Sequence, residues 1–203
     1  NPKDLDKVFQ YPIEIVFHLA ARFANQNSVE NPIEDLDTNV KGTLYLLDYS
    51  KKNHIKKFIY TSSSCVYGSK DGELNESDIN YQLETPYAIS KLAGEYYVKF
   101  FQHFYGLNSV ILRLFNSYGP NEYPGKYRNV IPNFIDRALK NEPLIITGTG
   151  DETRDFNFVK DVVNILITSA EKEEAIGGTF NIGSGKENSI IEIAYFINQL
   201  TGN

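Results

Sequence analysis

Apolar positions along this chain fall into short continuous runs that alternate with longer stretches of helical spacing. Ile13 to His18 (IEIVFH), Lys57 to Thr61 (KFIYT), Ser109 to Phe115 (SVILRLF), Leu144 to Thr147 and Thr179 to Ile182 read as strands. Between them, Pro32 to Asn53 repeats apolar residues at Leu36, Val40, Leu44 and Leu47, the spacing of one helix face. Thr85 to Tyr105, Asn129 to Asn141, Val159 to Ala170 and Ser189 to Leu200 read as further helices. Such alternation predicts an α/β fold, a parallel sheet covered by helices. Two polar, turn-rich stretches, Gly68 to Glu84 and Tyr118 to Arg128, each follow a strand. Ligands of open parallel sheets bind at the carboxyl ends of strands, so these loops are the expected neighbourhood of a site. No internal repeat is present.

Composition narrows the function classes. Lys and Arg number 20 against 26 Asp and Glu, a net charge of −6, which argues against nucleic acid as the main partner. A small anionic ligand on a local arginine stays open. Cys65 stands alone and so forms no internal disulfide. His18, His54 and His103 lack metal-ligand spacing, and no metal is expected. No apolar run approaches the roughly 18 residues of a membrane helix. No signal-peptide pattern opens the sequence, and the expected compartment is the cytoplasm. The chain starts at Asn1 and contains no Met.

Five segments carry candidate chemistry. Tyr87 and Lys91, four residues apart, share a helix face. A phenol ordinarily titrates near 10, and an adjacent ammonium favours its phenolate, so the pair can work as a general acid and base. The alternative is two residues on an exposed face. Thr61-Ser62-Ser63-Ser64-Cys65-Val66-Tyr67-Gly68 follows a strand directly. Its serines can bond a sugar hydroxyl or an oxyanion, or simply form a turn. No Gly-x-Ser-x-Gly elbow marks any of them as a nucleophile. His18-Leu19-Ala20-Ala21 gives small residues at a strand end, suited to an approaching ligand or to a closely packed helix. Arg113-Leu114-Phe115-Asn116 places an amide at another strand end. Arg154 can clamp a phosphate bidentately, or pair with Asp155 or Asp161 at the surface. Gly148-Thr149-Gly150 and Gly183-Ser184-Gly185 read as plain turns, and neither completes a dinucleotide glycine loop.

In this order and spacing, HLAA, NVKGT, SSSCVYG, YAISK, RLFNSYGP, VIPNF, TRDFNFVKD and FNIGSG resemble the extended short-chain dehydrogenase/reductase family, specifically its NAD-dependent nucleotide-sugar epimerases and dehydratases. The resemblance covers Ile13 to Gly202. It implies a Rossmann-like doubly wound sheet, an NAD-binding part over residues 1–120 and a substrate-binding lobe over 121–203, interleaved with the last sheet elements. It implies Tyr87 as base, with Lys91 as its helper and ribose holder, and Ser63 as the catalytic serine. Leu19, Ala20, Ala21, Asn39, Ser62, Tyr87, Lys91 and Phe115 would face NAD. Ser63, Ser64, Asn116, Asn129, Val130 and Arg154 would bind the sugar nucleotide. The family's glycine-loop unit would precede Asn1 and a substrate-lobe tail would follow Asn203, within a protein nearer about 300 residues.

Two positions bear on the reaction. The family's dehydratases carry Asp-Glu where Ser64 and Cys65 stand here, and its decarboxylases carry Glu at the Cys65 position. GDP-fucose synthase has a catalytic Cys where Cys65 lies but pairs it with a His where this chain has Asn129. For Cys65 a small packing residue, as free cysteines usually are, is favoured over a proton donor. The reading is C4 epimerisation of a UDP-sugar of the glucose/galactose type. Alternatives are a nucleotide-sugar reductase, a decarboxylase, or a binding protein without catalysis. A homodimer is implied through the Tyr87 helix and the helix after Pro32, with Tyr96, Phe100, Phe101 and Phe104 offering apolar area.

Overall fold

The computed structural model describes residues 2–70 and 72–202. The chain forms two compact units. The first comprises 1–114 and 164–181, the second 115–163 and 182–203.

Four strands form the sheet: β1 (Ile15–His18), β2 (Lys57–Ser63), β3 (Ser109–Leu114) and β7 (Thr179–Ile182), in the order β1-β2-β3-β7. β1 and β2 pair in parallel, as do β2 and β3, with Phe17 opposite Ile59 and Thr61 opposite Leu112. Central parallel strands are covered on both faces and so tolerate unbroken apolar runs. This holds for β2 and β3, which are buried along nearly their whole length. Edge strand β1 differs, leaving Ile15 and Phe17 exposed.

Helices α1 (Pro2–Val8), α2 (Asn25–Glu30), α3 (Pro32–Asp35), α4 (Gly42–Lys52) and α5 (Pro86–Tyr105) belong to the first unit. A π-helical turn, Leu36–Lys41, joins α3 to α4, so the helix expected after Pro32 is continuous but locally widened. Such a turn re-aims side chains and often marks functional positions. Here it carries the buried Asn39.

α5 is fixed at both ends. The Thr85 hydroxyl accepts the Ala88 N–H, Pro86 fills the first turn, and Gly106 closes the helix in the left-handed conformation (φ 69°). It lies close on β2 because Gly94 has no side chain; a Cβ there would overlap the Tyr60 hydroxyl. Leu47, Phe58, Tyr60, Val98, Phe101 and Ile111 make the core between α4, α5 and the sheet. Phe101, offered from sequence as dimer surface, is therefore core, because its helix position turns it toward β3 and α4.

In the second unit, α6 (Val130–Leu139) packs on α8 (Ile190–Thr201) through Phe134, Ala138, Ala194 and Ile197. A reciprocal capping box between Ser189 and Glu192 starts α8. Short pairs β4 (Ser117–Tyr118) with β6 (Asn157–Phe158), and β5 (Thr153–Asp155) with β8 (Glu187–Ser189), complete this unit. Leu144 to Thr147, expected as a strand, forms none; Leu144 and Ile146 instead pack against the α6–α8 cluster without a ladder partner. α7 (Val159–Glu171) links the units along the chain.

Candidate active site

The carboxyl end of β2 and the first turns of α5 bring Ser63, Tyr87 and Lys91 together. Ser63 ends β2 and caps the short 3₁₀ turn Ser64–Tyr67, its hydroxyl accepting the Cys65 N–H at 3.2 Å. Tyr87 is 7% exposed, and its ring meets Phe23 edge-on at 6.1 Å. Its backbone N–H donates to the Ser28 hydroxyl at 3.0 Å. Lys91 follows one turn later, 3% exposed, with its ammonium 4.7 Å from the centre of the Tyr60 ring.

Electrostatics correct one expectation. The Tyr87 phenol is pushed well above its ordinary range, not below it. Burial is the main cause, Cys65 adds to it, and a hydrogen bond with Ser63 pulls the other way. Desolvation of the phenolate outweighs any help from Lys91, whose own value falls to about 8, again through burial, against the pull of Glu95 and Asp35. By itself this chain holds a neutral phenol beside a serine hydroxyl and a buried, still mainly charged lysine.

Several buried polar groups here have no protein partner among the described residues. The Lys91 ammonium makes no hydrogen bond, although its residue is almost fully covered. Ser62 Oγ and His18 Nδ1, at the ends of β2 and β1, are also buried and unpaired. His18 Nε2 donates to Thr43 Oγ1 at 2.7 Å, since that hydroxyl spends its proton on the Asn39 carbonyl at 2.6 Å. Buried polar groups rarely stay unpaired without cost. An uncommitted ammonium and a hydroxyl at strand ends fit the ribose and amide groups of a dinucleotide.

The loop after β1 carries Leu19 and Ala20, both exposed, and the half-buried Ala21. Asn39 clamps that loop through Arg22, accepting its N–H at 2.7 Å and donating to its carbonyl at 3.1 Å. Ala24 sits at φ 89°, a strained value for a residue with a side chain. Cys65 is half-buried, not fully buried, with its sulfur 3.8 Å from Asn25 Nδ2. Ser64 is half-buried beside it.

The second unit carries the remaining expected residues. Phe115 and Asn116 follow β3, and Asn116 Nδ2 donates to the Asp155 carbonyl at 2.9 Å. Asn129 precedes α6 and bonds Glu122 at 3.2 Å, with Val130 opening the helix. Arg154 is exposed on β5 and donates to the Thr153 carbonyl at 2.6 Å. Asp155 instead accepts the Ser184 N–H and hydroxyl and the Gly185 N–H, at 2.7–2.9 Å, folding the Gly183-Ser184-Gly185 turn around its carboxylate.

Sequence reasoning passed over Ser28, Asn25 and Asp35. Ser28 and Asn25 bind the start of α5, where Thr85 Oγ1 donates to Asn25 Oδ1 at 3.0 Å. Their chemistry is ordinary and their meeting with Tyr87 is made only by folding. The polar loop after Gly68 is anchored structurally. The buried Arg113 forms a bidentate pair with Glu95 (2.7 and 2.9 Å) and reaches the Tyr67 hydroxyl and the Glu76 carbonyl.

Comparison with known proteins shows the family. The model of the NAD dependent epimerase/dehydratase family matches residues 1–183. A putative UDP-glucose 4-epimerase of Methanocaldococcus jannaschii is 40% identical over 196 residues, covering 94% of this chain and 62% of that protein. The structure of an epimerase from Methanothermobacter thermautotrophicus superposes with a TM-score of 0.98 at 48% identity, over all of this chain and 61% of that one. The UDP-glucose 4-epimerase of Thermotoga maritima, solved with UDP-glucose, gives 0.94 at 34% identity, over 100% and 66% of the two chains. Relatives also include a dTDP-D-glucose 4,6-dehydratase of Dictyostelium discoideum (36%) and a UDP-N-acetyl-alpha-D-glucosaminuronate decarboxylase of Bacillus cytotoxicus (38%). A UDP-glucose 4-epimerase of Thermus thermophilus was solved with NAD. The chain thus spans about three-fifths of the Methanocaldococcus relative's length (62%). With its parallel sheet and its Ser63, Tyr87 and Lys91 at one strand end, the chain belongs to the NAD dependent epimerase/dehydratase family.

Proposed function

We propose that the protein inverts C4 of a nucleoside-diphosphate sugar of the UDP-glucose/UDP-galactose type through a transient 4-keto sugar. The observation that carries this reading is the half-buried Ser63 with the buried Tyr87 and Lys91, and Ser64 and Cys65 beside them, where a dehydration would need carboxyl groups. The names of the relatives supply the nucleotide-sugar class.

Tyr87 takes the proton of the sugar O4 hydroxyl, with Ser63 bridging the two oxygens. NAD, when bound, supplies the acceptor and later donor of the C4 hydride, and its positive ring favours the Tyr87 phenolate that burial alone disfavours. Lys91 holds the cofactor ribose with an ammonium that makes no hydrogen bond to the described residues, and Ser62 and the Leu19–Ala21 backbone line the same seat. Tyr87 returns its proton to O4 once the other face of the keto sugar has been reduced, so no net oxidation results. In the second unit, Asn116, Asn129, Val130 and Arg154 are the diphosphate-binding residues of this reading.

Tyr96, Phe100 and Phe104 are exposed on α5, as are Ile33 and Leu36 on the helix after Pro32. We take these as the face that a second copy of the chain covers, in a cytoplasmic homodimer.

The test offers the full-length protein UDP-glucose, UDP-N-acetylglucosamine and UDP-glucuronate and follows products by NMR. C4 epimers with no net cofactor reduction are expected. Loss of the carboxylate carbon, or accumulation of reduced cofactor, would sink the reading.

A further inference from the structure

Asp35 is a carboxylate that the reaction above does not use, yet it is 1% exposed and lies beside the catalytic residues. It ends α3, directly before the π-helical turn that carries Asn39. We propose that Asp35 is a positioning residue of the Tyr87–Lys91 reaction: its buried carboxylate fixes the Asn39 amide and sustains the positive charge of Lys91. This rests on the assignment of Tyr87 and Lys91 given above.

The first half is hydrogen-bond logic. A carboxylate only accepts, so the Asn39 atom at 2.8 Å from Asp35 Oδ1 is its nitrogen. Asn39 Oδ1 is then turned to the Arg22 N–H, and the same nitrogen reaches the Arg22 carbonyl and, at 3.2 Å, the Ser90 hydroxyl. Ser90 Oγ donates in turn to the Tyr87 carbonyl at 3.0 Å. One carboxylate thus orients an amide that holds both the loop after β1 and the first turn of α5.

The second half is charge accounting around Lys91. The groups facing it are His18 from β1, Tyr60 from β2, Cys65 from the 3₁₀ turn, Asp35 from α3, and Tyr87 and Glu95 along α5. Among the described residues that face it, Asp35 and Glu95 are the carboxyl groups. Glu95 spends its charge on Arg113 in a bidentate pair. Of the cations near Asp35, Arg22 is itself taken by Glu34 at 2.7 Å, which leaves Lys91. Burial pushes the Asp35 carboxyl up, while hydrogen bonds with Ser90 and Asn39 and the charge of Lys91 pull it back toward the carboxylate. Burial pulls Lys91 down to about 8, and Asp35 is among the groups that oppose this.

The experiment uses the full-length protein with lysine labelled at Cε, Lys91→Met assigning the resonance. In Asp35→Asn, which keeps shape and removes charge, the Lys91 midpoint is expected to fall by about one pH unit, and kcat/KM at pH 8 about fivefold, with the alkaline limb moving by the same amount. Asp37→Asn, an exposed position paired with Lys41, should move neither. Asp35→Leu, which removes the acceptor, is expected to speed amide exchange at Arg22 about tenfold or more. An unmoved Lys91 midpoint in Asp35→Asn overturns the proposal. If the variants do not fold, the wild type decides: the Asp35 carboxyl carbon must report the Lys91 titration, and its silence overturns the proposal equally. A wild type that converts no UDP-sugar sinks the proposed reaction alone, and the titration still decides Asp35.

Discussion

As the proposed base, Tyr87 meets opposed demands. A base must lose its proton near neutral pH, while burial beside Cys65 holds the phenol protonated. The conflict resolves only if a positive charge arrives with the ligand. Tyr87→Phe is therefore expected to lower turnover by at least about 10³-fold and to leave UDP-sugar affinity within a few fold, read by steady-state kinetics and calorimetry. Unchanged turnover would refute the base assignment. In the cofactor-free protein, the 295 nm difference spectrum between wild type and Tyr87→Phe should show no phenolate below about pH 10. These residues were legible in the sequence because Tyr-x-x-x-Lys and the serine run carry their spacing locally. Their titration was not legible, because it depends on how deeply the helix is covered. Asp35 illustrates the same limit: in sequence it is one acidic residue among several on a helix, and only folding buries it beside Asn39 and Ser90.

At the scale of elements, α5 is the piece on which the proposed site hangs. Its approach to β2 depends on Gly94, where an added methyl would strike the end of a buried tyrosine that has nowhere to turn. Gly94→Ala is expected to cost about 1–3 kcal/mol in guanidinium unfolding, despite alanine's better helix propensity. Thr85→Ala removes the acceptor for the Ala88 N–H and should cost about 1 kcal/mol in the same assay. The buried Arg113–Glu95 pair, which ties α5 to β3 and to the loop after Gly68, is a different case. Removing one partner leaves an uncompensated buried charge, so Arg113→Met should destabilise by about 3–5 kcal/mol. Periodicity placed these helices within a few residues. It failed at Leu144 to Thr147, where an apolar run finds a helical cluster to pack on and no strand to pair with.

For the whole molecule, acid stability follows from His18. Its folded value is lowered from 6.5 to about 4 by burial, with Lys91 adding to the effect. The unfolded chain then binds the proton more readily, so this stability is fully present above pH 6.5 and is lost as pH falls through about 4. The loss amounts to about 3 kcal/mol, and His18→Gln should flatten that part of a urea-unfolding profile against pH. The exposed aromatic face of α5 gives an association test: in the full-length protein, Phe100→Asp with Phe104→Asp should convert the proposed homodimer to monomer in sedimentation. By itself the sequence determined the α/β alternation, the four strands of the main sheet and the helices that cover them, and the residue types of the proposed catalytic set, because periodicity and motif spacing are local properties of a chain. Tertiary structure alone decided which polar groups are buried without partners, which carboxylate faces Lys91, and whether the phenol is held neutral, because desolvation and charge pairing depend on residues brought together across the fold.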